Sequence, residues 1–236
     1  MCVLVALRHE REPLLVVAAN RDERVDRPWI APLLWDDDPP VFAGRDVVGG
    51  GTWLAVNLAA PMVIGVSNAR LGAPPGERSR GELVATLARE RSVVGAVAVA
   101  AELDLARYGP FNLLIADARS TWSATNYPEP GLRREDGAAF VIANDPLAEP
   151  GERVLRTVRR ATALADDTPD RAAAGLAEIL ADHDGPDPLC RHGQGYGTLC
   201  STLVEVGPRG LLRYRFAPGP PCATAFAELS LPSGYS

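Results

Sequence analysis

Cys2 and the tetrad Asn20-Arg21-Asp22-Glu23, one apolar run later, bring a nucleophile and a cluster of charged groups to neighbouring strand ends. Once Met1 is removed, Cys2 carries a thiol and a free α-amine on the same residue. That amine titrates near ~8, so it can take the thiol proton without a histidine. A carboxylate at Asp22 orients the amine and stabilises its protonated form, while Asn20 and Arg21 position a carbonyl or carboxylate of a substrate. An amide-cleaving nucleophile also needs donors for the developing oxyanion, each worth roughly 3 kcal/mol. Asn68, after Val66-Ser67, and Asn144, after Ile142-Ala143, end two further apolar runs and are the candidates. Taken singly, the tetrad also reads as a polar turn and each asparagine as a turn residue.

Rival chemistries have less support. Cys190-Arg191-His192 puts a thiol near an imidazole, but residues so close in sequence seldom face each other productively, and the pair supplies only half a metal site. His9 and His183 fall in polar turns. There is no HExxH pattern, and neither Gly49-Gly50-Gly51 nor the glycine-rich stretch 193–197 has the strand-to-helix setting of a phosphate loop. All 24 basic residues are arginine, which excludes a lysine Schiff base, a lysine general base and a P-loop lysine. A net charge of −6 disfavours a nucleic-acid partner. The four cysteines show no CxxC spacing and read as free thiols of a cytoplasmic chain. Met1 to Leu7 is too short for a signal peptide, and no run approaches the ~18 apolar residues of a membrane span.

The elements that must position these groups alternate between strand pairs and helix pairs. Apolar, Val- and Leu-rich runs predict a hairpin over Cys2–Leu7 and Pro13–Ala19, then short strands over Thr52–Asn57 and Met62–Ser67. A proline-rich stretch runs from Arg27 to Pro40, with Trp29 and Trp35 lying over a surface and no strand assigned to it. Ser79-Arg80-Gly81-Glu82 has the form of a capping box and opens two successive helices that run to Leu105. Strands over Phe111–Ala116, Thr121–Thr125 and Phe140–Ala143 follow, then helices over Gly151–Ala165 and Pro169–Ala181. A last hairpin spans Thr198–Val206 and Gly210–Phe216, its small and hydroxyl residues packed against the floor of a site. Antiparallel pairs split by helical pairs predict an α+β fold: a four-layer αββα sandwich of two stacked antiparallel sheets, in a single domain over residues 1–236.

Seven short motifs in order resemble the NRDE family, that of transport and Golgi organisation protein 2. They are Met1-Cys2, Ala18-Ala19-Asn20-Arg21-Asp22-Glu23, Arg27-Pro28, Ala43-Gly44-Arg45-Asp46, Gly50-Gly51-Thr52-Trp53, Ser67-Asn68 and Ser79-Arg80-Gly81. The likeness covers the first third of the chain well and loosens beyond Phe111-Asn112. This family is similar in turn to N-terminal-nucleophile hydrolases of the choloylglycine hydrolase and penicillin acyltransferase type, which share the αββα fold. The resemblance implies Cys2 as nucleophile, Asp22 as the carboxylate that binds the α-amine, and Asn68 and Asn144 as the oxyanion-region asparagines. Trp53 and Arg80 join Asn20 and Arg21 as expected substrate-binding residues. The chain departs from the bile-salt hydrolases in having Ala19 directly before Asn20 and no counterpart of their late arginine near Ser201. The expected activity is hydrolysis, or acyl transfer, at a non-peptide linear C–N bond, with a small-molecule amide or acyl substrate and no metal or organic cofactor. The alternative that the resemblance carries is a non-catalytic haem or lipid binding protein.

Overall fold

The computed structural model describes residues 2–9, 11–36, 38–70 and 72–231. Thirteen strands and four helices occur among them. The strands are β1 (Cys2–Arg8), β2 (Leu15–Arg24), β3 (Trp29–Trp35), β4 (Val41–Asp46), β5 (Leu54–Asn57), β6 (Met62–Asn68), β7 (Phe111–Ala116), β8 (Thr121–Thr125), β9 (Gly131–Glu135), β10 (Ala139–Ile142), β11 (Tyr196–Val206), β12 (Leu211–Ala217) and β13 (Ala227–Glu228). The helices are α1 (Arg80–Leu87), α2 (Val93–Glu102), α3 (Glu152–Thr162) and α4 (Pro169–Ala181).

The strands form two antiparallel sheets, in the orders β10-β1-β2-β11-β12-β13 and β3-β4-β5-β6-β7-β8-β9. Each central strand is apolar on both faces because each sheet is covered twice. In β1 and β2, Leu4, Ala6, Leu15, Val17 and Ala19 face the second sheet, whereas Val3, Val5, Val16 and Ala18 face α3 and α4. In the second sheet, Val56, Val63 and Leu114 point inward, and Ala55, Ile64 and Leu113 point out against α1 and α2. The result is the α+β sandwich of four layers, α-β-β-α. Among the described residues, no helix is long and apolar enough to cross a membrane.

Three sequence expectations are corrected. The Arg27–Pro40 stretch contains a strand: β3 pairs with β4 through Trp29↔Asp46 and Trp35↔Val41, and Pro32 is tolerated because β3 is an edge strand with a register shift beside it. Strands β4 and β9 were not expected, being short and, in the case of Gly131–Glu135, mostly polar. Ser79 does cap α1, its Oγ accepting from the Gly81 N–H at 3.2 Å, but Glu82 pairs with Arg78 and does not return to the cap.

The ends of β2, β6 and β10 and the starts of β1 and β11 all meet at one end of the sandwich. Two backbones close that end. A Cβ on Gly51 would lie 2.1 Å from the carbonyl carbon of Gly81, so the approach to β5 touches the first turn of α1 directly. Gly51→Ala must push those backbones apart, and we expect a cost of about 1–3 kcal/mol. Thermal denaturation should record this as a fall of roughly 2–10 °C in Tm; an unchanged Tm would show that the contact is slack.

Candidate active site

Strand alternation decides which side of the first sheet each group occupies. Cys2 pairs with Arg21, and both project between the sheets; Asn20 and Asp22 project to the helical side. The backbone nitrogen of Cys2 therefore heads a strand edge, with its own sulfur on one face and the Asp22 carboxylate on the other. Burial pushes the Cys2 thiol up from its ordinary value, and the Asp22 charge adds to this; the Arg21 guanidinium and the Asp22 N–H work in the opposite direction. Such a thiol keeps its proton at neutral pH until a nearby base removes it.

Asp22 is almost fully buried. Thr198 donates its hydroxyl to Asp22 Oδ1 at 2.6 Å, and Arg191 Nε lies 3.9 Å from Oδ2. Thr198 reaches this side because of an irregularity in β11: register shifts between Thr198 and Cys200, so Thr198 opposes Asp22 on the helical side while Cys200 opposes Arg21 between the sheets. Burial raises the Asp22 carboxyl to about 6, against the Thr198 hydrogen bond and the charges of Arg191 and Arg153.

The Cys2 sulfur side opens into a cleft of about 420 Å³, whose wall includes Arg21, Asp22, Glu23, Arg27, Asp46, Trp53, Asn68 and Arg80. Asp46 organises the cations. It accepts from Arg27 at 2.7 and 3.0 Å, from Arg21 Nη2 at 2.9 Å and from the Gly49 N–H at 2.7 Å. Burial alone would raise Asp46, but these bonds and charges outweigh it and hold the carboxyl below its ordinary range. The Arg21 guanidinium lies 4.5 Å from the centroid of the Trp53 ring, and its Nη1 is buried with no hydrogen-bond partner. Arg80 hydrogen-bonds the Pro110 carbonyl at 3.2 Å and makes no ion pair among the described residues. Burial lowers its pKa, with the Cys2 and Glu23 charges acting the other way.

The expected residues thus divide. Cys2, Arg21, Asp22, Trp53, Asn68 and Arg80 meet at the cleft. Asn20 does not: its even position in β2 turns it to the helical side. There it donates to the Leu180 and Leu189 carbonyls at 2.9 and 3.0 Å and accepts from Ser201 at 2.6 Å. It ties α4 to the sheet, and the expectation that it contacts substrate is corrected. Asn144 also lies outside the cleft wall. Its amide nitrogen donates one of its two N–H groups to the Asn68 carbonyl at 2.6 Å. Sequence reasoning missed Asp46, Arg27 and Arg191. The first two stand in the quoted motifs, but only the β3–β4 pairing shows that one carboxylate joins two arginines.

A family model, Transport and Golgi organisation 2, matches residues 1–215. The human Transport and Golgi organization protein 2 homolog is 25% identical over 236 residues, covering 83% of each chain. Among solved structures, the Caenorhabditis elegans N-acylethanolamine-hydrolyzing acid amidase ortholog superposes with a TM-score of 0.61 at 11% identity, covering 86% of this chain and 92% of that one. That likeness shows a shared fold.

Asp22 gives the site a pH signature. Its unfolded carboxyl releases a proton near pH ~4, whereas the folded one holds it to about 6. The folded state binds more protons across that window, so stability falls as pH rises from ~4 to ~6 and levels off above. The loss traceable to Asp22 is about 3 kcal/mol. Urea unfolding of the protein and of Asp22→Asn across this range should give curves that diverge by that amount; parallel curves would place Asp22 in an ordinary, solvated setting.

Proposed function

The chain belongs to the transport and Golgi organisation 2 family, and from that membership we propose that it is an N-terminal cysteine amidohydrolase acting on a non-peptide linear amide. The observation that carries the reading is the position of Cys2: its sulfur lines a cleft, and its backbone nitrogen heads the strand edge beside a buried carboxylate.

Removal of Met1 converts that nitrogen into the base the protonated thiol requires. The α-amine takes the thiol proton, and Sγ attacks the amide carbon. Two groups are left to receive the oxyanion: the side-chain amide of Asn68, a residue of the cleft wall, and Arg21 Nη1, buried without a hydrogen-bond partner. Asn144 positions Asn68 by holding its carbonyl. The α-ammonium then protonates the leaving nitrogen, an amine departs and a thioester remains on Cys2. Water, deprotonated by the same α-amine, attacks the thioester; the carboxylic acid leaves and the thiol is restored. Asp22 holds the ammonium in each half-reaction, and Thr198 and Arg191 hold Asp22. Trp53 and the unpaired Arg80 receive the substrate, the arginine favouring an acidic or carbonyl group. The structural neighbour's name describes hydrolysis of N-acylethanolamines, which is cleavage of the same class of bond.

The test is turnover of a panel of N-acyl amides and thioesters by protein made without an N-terminal tag, beside Cys2→Ala. Removing a nucleophile should cost at least about a thousandfold in kcat/KM. Because Cys2 is only partly buried at a strand end, stability should change by no more than about 1 kcal/mol. Activity retained in Cys2→Ala would overturn the proposal.

A further inference from the structure

Away from the cleft, the loop between α4 and β11 meets the turn after β12, and four side chains capable of binding metal converge there. Cys190 Sγ lies 3.5 Å from Cys222 Sγ and 3.7 Å from His192 Nε2, and His192 Nε2 lies 3.1 Å from Cys222 Sγ. His183 is a fourth, wider-set donor: its ring nitrogen lies within 4.8 Å of the ligand atoms of His192 and Cys222. With Zn–S near ~2.3 Å and Zn–N near ~2.05 Å, ligands at the corners of a tetrahedron stand ~3.3–3.8 Å apart. The three close distances fall within a few tenths of an ångström of those edges.

We propose that Cys190, His192, Cys222 and His183 form a tetrahedral zinc site. Two thiolates with two imidazoles are the donor set that a borderline-soft divalent cation selects. His183 is already oriented as a ligand. Its Nδ1 lies 3.0 Å from the Ala181 carbonyl, so the proton resides on Nδ1 and Nε2 offers its lone pair. The rings of His183 and His192 stand 5.7 Å apart and nearly perpendicular, which lets both nitrogens point to a common centre. Binding releases the two thiol protons to solvent, and the cation and two thiolates form a neutral unit. Four protein ligands leave no open position, so the ion is structural.

Its effect reaches the cleft through one residue. Arg191 stands between two of the ligands; its backbone N–H donates to Thr198 Oγ1 at 2.9 Å, and its side chain faces Asp22. A zinc ion that joins residues 183–192 to Cys222 therefore fixes the loop that supplies Arg191 to Asp22 and whose backbone holds the other partner, Thr198 of β11.

The protein should be produced in zinc-supplemented medium, purified under reducing conditions without chelator, and assayed for metal by mass spectrometry. About one zinc per chain is expected, released on thiol modification, and replacement by Co²⁺ should give the visible d–d and thiolate charge-transfer bands of a tetrahedral site. Cys222→Ser and His192→Ala should lose the bands, and Cys2→Ala should keep them, whether or not the catalytic reading holds. Titration of the unaltered reduced protein with Co²⁺ needs no variant to fold. Absence of those bands, bands retained in Cys222→Ser, or a Cys190–Cys222 disulfide that persists through reduction and excludes metal would each overturn the site.

Discussion

The period-two alternation of a single sheet edge governs the site. With Cys2 opposite Arg21, one strand end sends a thiol and a guanidinium into the space between the sheets, and the next residue, Asp22, sends its carboxylate to the helical side. The backbone nitrogen of Cys2 occupies the edge between them. A shift of one residue in this register would exchange the faces and bury the thiol under the helices. The apolar alternation of Leu4, Ala6, Val17 and Ala19 inward and Val3, Val5, Val16 and Ala18 outward makes such a shift costly, so the hydrophobic core also maintains the chemistry. The irregularity at Leu199 belongs to the same constraint, since without it Thr198 and Cys200 would share a face and Asp22 would lose its hydroxyl donor.

The charges around the cleft are arranged in two tiers. Asp46, held down by Arg27, Arg21 and the Gly49 N–H, forms a fixed ionic cluster that anchors β4, the end of β2 and the β2–β3 connection to one another. Arg21 is thereby held against Trp53, with one nitrogen left over. Arg80, at the start of α1, stays outside that cluster and, among the described residues, hydrogen-bonds a backbone carbonyl. A rigid pair and an uncommitted cation are what a site needs when one arginine must keep its position and another must accept a ligand. Asp22 contrasts with Asp46 in environment: Asp22 is almost fully buried and rises, whereas Asp46, held by two arginines and the Gly49 N–H, falls.

Much of this was legible in the sequence because the signals were local. Phe111–Ala116, Thr121–Thr125 and Pro169–Ala181 have the bounds that their apolar patterns indicate, and the order of strand and helix pairs was enough for the four-layer fold. The edge strand β3 was not legible, because its proline, Pro32, and its exposed apolar residues carry no clean alternation. At the site, proximity in sequence misled in one direction and distance in the other. Asn20 adjoins Arg21 yet faces away, since neighbours in a strand point to opposite sides. Cys222 lies far from His183, Cys190 and His192 in sequence, and only the packing of the turn after β12 completes that cluster.

The central claim is that Cys2 becomes a nucleophile through its own amine. The most direct measurement is intact-mass analysis of untagged protein before and after brief treatment with a thiol alkylator at neutral pH, followed by peptide mapping. The account predicts loss of Met1 and a single fast-labelling cysteine at position 2. Retained Met1, or labelling of Cys2 no faster than the partly buried Cys222, would contradict it.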